Sequence, residues 1–258
     1  MSFSITPRGD GRDLVLIHGW AMHGGIFAPL VDALAAHWRL HLVDLPGHGR
    51  SRDAWTSGAL DPADCARRIA ERTPPAPWLG WSLGGLVALH GALARPDHVH
   101  GLVAIASSPR FILAPDWPHA VDPSVFSGFA NELETRFEHA IERFLALETL
   151  GSPHGREELR ALRAQVFAAG APRIEALREG LAVLAREDLR GAVSGLRVPS
   201  LWIGGRRDRL VPSAALAWCA SQAPDARHLE LPSGHAPFLA HAREIAEAIA
   251  ALDAGAAA

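Results

Sequence analysis

The sequence predicts an α/β fold in which a mostly parallel sheet is flanked by helices and interrupted once by a helical insertion. Three observations carry this. Short apolar runs end in turn residues and give way to helix-like periodicity at 13–17, 40–43, 78–80, 101–106, 199–203 and 227–231. No convincing strand stands between about 108 and 197, where amphipathic segments run over 132–150 and 156–186. The chain has 258 residues, 48% hydrophobic and 21% charged, which suffices for one buried core.

Each element has its own reason. The runs at 13–17, 40–43 and 101–106 are apolar apart from Asp13 and His41, as strands largely buried on both faces require. The longest apolar stretch, 78–94, is broken by Gly80, Gly84, Gly85 and Gly91 and carries His90, so it reads as a buried strand running into a buried helix and not as a membrane span. The strandless stretch has no flexible polar linker at either edge, which favours a lid inserted over the strand ends against an independent domain. The expected organisation is one domain over 1–258, with a core of about 1–107 and 198–258 and a lid of about 108–197. Apart from the alanine tail there is no low-complexity segment and no internal repeat.

Composition removes several classes of function. A formal net charge of -3 with every basic side chain an Arg supplies no basic footprint for nucleic acid. The stretch 1–12 is polar where a secretory signal needs an apolar centre, and a cytoplasmic protein without membrane association is expected, a monomer in the simplest reading. Cys65 and Cys219 are far apart with no ligand-spaced partner, so neither disulfide nor metal site is expected. The loop 44–51 is glycine-rich but lacks the dinucleotide and Walker patterns, and no cofactor is implied.

The chemistry concentrates in three loops. Gly80-Trp81-Ser82-Leu83-Gly84 lies between an apolar strand and a helix-like run, the context in which a tight turn projects a serine hydroxyl from a strand end. A serine hydroxyl is a poor nucleophile at neutral pH and needs an adjacent base. In folds with this motif the acid and then the histidine follow in chain order, each after a strand. Asp208, in the turn after 199–203, and His235, in the loop after 227–231, meet that requirement; Asp188, His228 and His241 are weaker rivals. Ile17-His18-Gly19-Trp20 ends another strand. Trp20 and Leu83 are therefore expected to offer backbone N–H groups to an oxyanion, with His18 bracing the loop.

Beyond these motifs the chain resembles the pimeloyl-[acyl-carrier protein] methyl ester esterases, the BioH-type carboxylesterases of the α/β-hydrolase superfamily. The resemblance runs through 16–20, 41–51 and 78–88, and more specifically through Ala106-Ser107-Ser108-Pro109, Arg143-Phe144-Leu145-Ala146-Leu147-Glu148-Thr149 and His235-Ala236-Pro237-Phe238. It implies hydrolysis of the methyl ester of a pimeloyl chain on acyl carrier protein in biotin synthesis. It also implies that substrate is contacted by Trp20, Ser82, Leu83, Phe144, Leu145, Ala146, Leu147, Glu148 and His235. Glu148 departs from the glutamine that members often carry. Arg143, Arg156 and Arg160 match basic positions and are expected to dock the acidic carrier. A broad carboxylesterase for free short-chain esters remains the nearest alternative, and a non-catalytic ligand receptor on the same scaffold is the alternative of another class.

Overall fold

The computed structural model describes residues 3–256; Met1, Ser2, Ala257 and Ala258, which belong to the N-terminal stretch and alanine tail read above, lie outside them. Seven strands form one sheet: β1 (Ser4–Arg8), β2 (Arg12–Ile17), β3 (Trp38–Asp44), β4 (Ala76–Trp81), β5 (Val99–Ile105), β6 (Ser200–Gly205) and β7 (Ala226–Leu231). Their spatial order is β1-β3-β2-β4-β5-β6-β7, with only β1 antiparallel to its neighbour. The six apolar runs are the six parallel strands. Leu14 to Ile17 and Leu102 to Ile105 are fully buried, because a parallel sheet carries helices on both faces.

β1 is a seventh strand beyond the six apolar runs, formed within the polar stretch 1–12. It is an edge strand whose residues are half-buried or exposed, pairing Ser4 with Asp44 and Arg8 with Leu40. Pro7 is tolerated there because an edge strand can spare one ladder donor.

Core helices α1 (Ala28–Leu34), α2 (Pro62–Ala70) and α3 (Leu83–Ala94) follow β2, β3 and β4. α3 is buried on nearly every residue and apolar all round, hence the membrane-like length of the 78–94 stretch. No helix among the described residues is long and apolar enough to cross a membrane.

Four helices stand between β5 and β6: α4 (Pro123–Thr135), α5 (Phe137–Thr149), α6 (Gly155–Val166) and α7 (Ile174–Arg186). Asp122 caps α4 by accepting from the Ser124 N–H, with Pro123 at the first helical position. The expected run 132–150 is broken at Arg136, whose backbone leaves the helical region (φ -146°, ψ 57°), and 156–186 is broken by the turn between α6 and α7. The insertion is tied down through the Glu179 carboxylate, which accepts from the Trp55 indole and the Leu60 N–H, and through the Gly47 carbonyl, which accepts from Arg173 N–H. Helices α8 (Ser213–Gln222) and α9 (Ala242–Ala256) complete the layers.

Candidate active site

The turn after β4 is as tight as steric contact permits. Ser82 takes φ 55°, ψ -120°, a conformation that costs an L-residue free energy and persists only where the surroundings enforce it. A Cβ on Gly80 would lie 2.2 Å from the Gly84 carbonyl oxygen, and one on Gly84 would lie 2.2 Å from that of Ile17. The two motif glycines are thus demanded by backbone passing backbone. Ser82 becomes the residue preceding the first turn of α3, at the positive end of a helix dipole.

The carboxyl ends of β4, β6 and β7 bring three side chains into line. Ser82 Oγ donates to His235 Nε2 at 2.9 Å, and His235 Nδ1 donates to Asp208 Oδ2 at 2.7 Å. All three are buried. The other Asp208 oxygen, Oδ1, accepts from the Leu210 and Val211 N–H groups at 2.8 and 3.0 Å, so the carboxylate is orientated from both ends. Burial pulls the His235 pKa down, but the charge and hydrogen bond of Asp208, with a contribution from Glu148, leave it above the ordinary 6.5.

The rivals lie elsewhere. Asp188 pairs with Arg110 and Arg190, which hold its carboxyl down at about 2. His228 is exposed on the edge strand β7, where Ser213 Oγ is its partner at 3.3 Å, and His241 pairs with Glu244.

Trp20 and Leu83 flank the serine. Gly19 runs so close that a Cβ on it would lie 3.1 Å from Ser82 Cβ, and neither the Trp20 nor the Leu83 N–H has a hydrogen-bond partner among the described residues. The Leu83 N–H is free because it opens a helix. The Trp20 side chain reaches the insertion: its indole donates to the Leu177 carbonyl at 2.8 Å, and its ring lies 4.5 Å from that of Phe144, which in turn meets Phe129 at 5.3 Å. His18 is fully buried and stays neutral, its pKa lowered first by burial and then by the neighbouring His48. It accepts the Leu45 N–H on Nε2 and donates from Nδ1 to the Gly19 carbonyl, stapling the loop that carries Trp20.

The α5 residues fall on different faces. Phe144, Leu145 and Glu148 are buried, Leu147 is half-buried and Ala146 is exposed, as helical geometry dictates for five consecutive residues. Arg143 is held within the insertion by an ion pair with Glu132 and lies over the Phe129 ring, whereas Arg156 and Arg160 are exposed on α6 with no side-chain partner among the described residues.

One supporting residue escaped the sequence reading. The Trp81 indole donates to the His235 carbonyl at 2.8 Å, and its ring packs edge-on against Phe238, 5.1 Å away, so the residue beside the serine also braces the histidine loop. Its only sequence signal was a bulky aromatic at a variable position of the serine motif.

Known proteins resemble this chain throughout. The model of the alpha/beta hydrolase fold family matches residues 14–242. A pimeloyl-[acyl-carrier protein] methyl ester esterase from Stenotrophomonas maltophilia (strain K279a) is 56% identical over 246 residues, covering 95% of this chain and 94% of its own. One from Xanthomonas oryzae pv. oryzae (strain MAFF 311018) is 54% identical, covering 95% of this chain and 96% of its own. Among solved structures, an esterase from Exiguobacterium antarcticum aligns over 96% of this chain and 94% of its own with a TM-score of 0.84 at 18% identity, a likeness of fold alone.

Proposed function

Because this chain belongs to the alpha/beta hydrolase fold family, and within it to the pimeloyl-[acyl-carrier protein] methyl ester esterases, we propose that Ser82, His235 and Asp208 are its catalytic triad and that its substrate is the methyl ester of a pimeloyl chain on acyl carrier protein. The observation that carries the triad is the unbroken hydrogen-bond line from Ser82 Oγ through the imidazole to Asp208. The relatives' shared name carries the substrate.

Ser82 Oγ attacks the ester carbonyl carbon while His235 Nε2 takes its proton, and Asp208 stabilises the imidazolium without taking the proton itself. The carbonyl oxygen becomes an oxyanion that accepts from the Trp20 and Leu83 N–H groups. Collapse breaks the bond to methoxide, which leaves as methanol with the proton from His235. Water then attacks the acyl-serine, His235 taking its proton and returning it to Ser82 Oγ. The product is pimeloyl-carrier protein with a free terminal carboxylate.

The insertion serves in this proposal as a lid. Trp20, Phe144 and Leu145 supply apolar wall for a carbon chain, and Ala146, exposed on the outer face, has no part in it. Arg156 and Arg160, four residues apart on α6, stand on one face, form no ion pair among the described residues, and suit an acidic carrier. Arg143 is spent on Glu132 and contributes less. The enzyme acts in the cytoplasm as a monomer and takes no nucleic-acid partner.

The test compares kcat/KM for the carrier-bound methyl ester with that for a free short-chain methyl ester. Preference for the carrier-bound ester by tenfold or more is expected. Equal values would make the chain a broad carboxylesterase.

A further inference from the structure

A residue of the insertion holds the triad histidine at two levels. The His235 N–H donates to the main-chain carbonyl of Glu148 at 2.8 Å, and the loop presses so close that a Cβ on Gly234 would lie 2.5 Å from that same oxygen. The Glu148 side chain is turned inward, only 2% exposed, and its Oε2 has no hydrogen-bond partner among the described residues. Two charged groups act on it, the His235 imidazole and the Asp208 carboxylate, one from each loop of the triad. The neighbouring ionisable groups are turned to other partners: Arg207 donates to the Gly151 carbonyl, and Glu158 accepts from Ser152 Oγ. His154 meets the His241 ring edge-on.

A carboxylate buried with no hydrogen-bond donor to its Oε2, and with the carboxylate of Asp208 opposing the help of His235, is costly, so the group keeps its proton. Asp208 already occupies the imidazole with its charge and its hydrogen bond, which leaves His235 to hold only part of what a second carboxylate would need.

We propose that Glu148 is a positioning residue of the catalytic histidine that works as a neutral carboxylic acid, a second carboxyl beside that of Asp208, electrostatically coupled to the triad. This rests on the triad reading above and extends it. The main-chain carbonyl fixes the His235 loop, and the neutral side chain fills the space beside the imidazole without adding charge. Loss of its proton would place a second carboxylate at the imidazole and a further negative charge in the pocket where the oxyanion, and then the product carboxylate, must form.

Burial is the first cause of the direction of its titration: Glu148 is pushed up to about 8, helped by Asp208 and opposed by His235. The folded-state value is raised above the ordinary 4.5, so the folded protein keeps a proton that the unfolded chain has released. Its share of stability is therefore present at low pH and drains away as pH rises towards about 8.

The experiment measures Tm for wild type and Glu148→Gln from about pH 5 to pH 9, with kcat/KM for p-nitrophenyl acetate beside it. The variant is expected to gain on wild type steadily as pH rises to about 8 and to hold a constant lead above it. The wild-type rate profile should show a fall centred near pH 8 that Glu148→Gln lacks. Parallel Tm curves and superimposable rate profiles would overturn the proposal. Should Glu148→Gln fail to fold, the infrared carbonyl stretch of a protonated carboxylic acid in wild type, present near neutral pH and lost above about pH 9, decides the matter, and its absence at neutral pH overturns the proposal. The Tm and infrared measurements need no turnover, so they report on Glu148 even if Ser82→Ala proves fully active and the triad reading falls.

Discussion

Asp208→Asn separates charge from shape at the proposed triad. In the wild type Oδ1 is held by two backbone donors, Leu210 N–H at 2.8 Å and Val211 N–H at 3.0 Å, and only Oδ2 faces the imidazole. An asparagine must keep its carbonyl oxygen against those two donors, since the alternative sets an NH2 against two N–H groups. Its NH2 then faces His235 Nδ1, which must accept, and the imidazole proton moves to Nε2, where it points at Ser82 Oγ and blocks general-base catalysis. The same change in a triad elsewhere lowers kcat by about ten-thousand-fold, or ~5.4 kcal/mol at ~1.36 kcal/mol per tenfold. The assay is kcat on a free ester near pH 7.5, with Tm measured alongside. A fall of about a thousandfold or more with Tm shifted by no more than a few degrees is expected, because both backbone donors remain satisfied. A loss under tenfold in a folded variant would refute the reasoning that Asp208 sets the tautomer.

Charge reversal at Arg156 and Arg160 to Glu should raise KM for the carrier-bound ester by about tenfold or more while leaving a free short ester unaffected, since each exposed charge pair contributes only modestly and two are reversed; an equal loss on both substrates would remove α6 from docking. The acid limb of kcat/KM should have its midpoint above 6.5, because His235 must be neutral to act as base and its pKa is raised; a midpoint below 6.5 contradicts the coupling to Asp208. Gly84→Ala should abolish soluble expression or lower Tm severely, since its Cβ would lie 2.2 Å from the Ile17 carbonyl oxygen. Gly128→Ala, in the middle of α4 with nothing within 4 Å, should be neutral or stabilising by up to about 1 kcal/mol, the helix propensity difference. Thermal denaturation of the two variants reads both outcomes.

How far the fold was legible in sequence depended on burial. The five inner strands β2 to β6 are largely buried and therefore wrote themselves as apolar runs, and the edge strand β7 kept Leu229 and Leu231, whereas β1, with Ser4, Thr6, Pro7 and Arg8 on the opposite edge, left no such mark. The break between α4 and α5 falls at Arg136, an ordinary helix former, so no local breaker residue announced it. Ser82, Asp208 and His235 were legible because each sits in a turn whose local residues announce it. Trp81 and Glu148 were not read for what they do, because both act on His235 across long stretches of chain, through contacts that exist only once the sheet and insertion are assembled. The division of the α5 run into buried Phe144, Leu145 and Glu148 and exposed Ala146 likewise depends on which face of the helix meets Trp20.

The most direct test of the account is methanol release from pimeloyl-acyl carrier protein methyl ester by purified wild type and Ser82→Ala. Multiple turnovers by the wild type are expected, with a loss of about a thousandfold or more in the variant, the scale seen when a triad nucleophile is removed. Release by the variant at a rate within tenfold of wild type, or no release by either while free esters are cleaved, would contradict it.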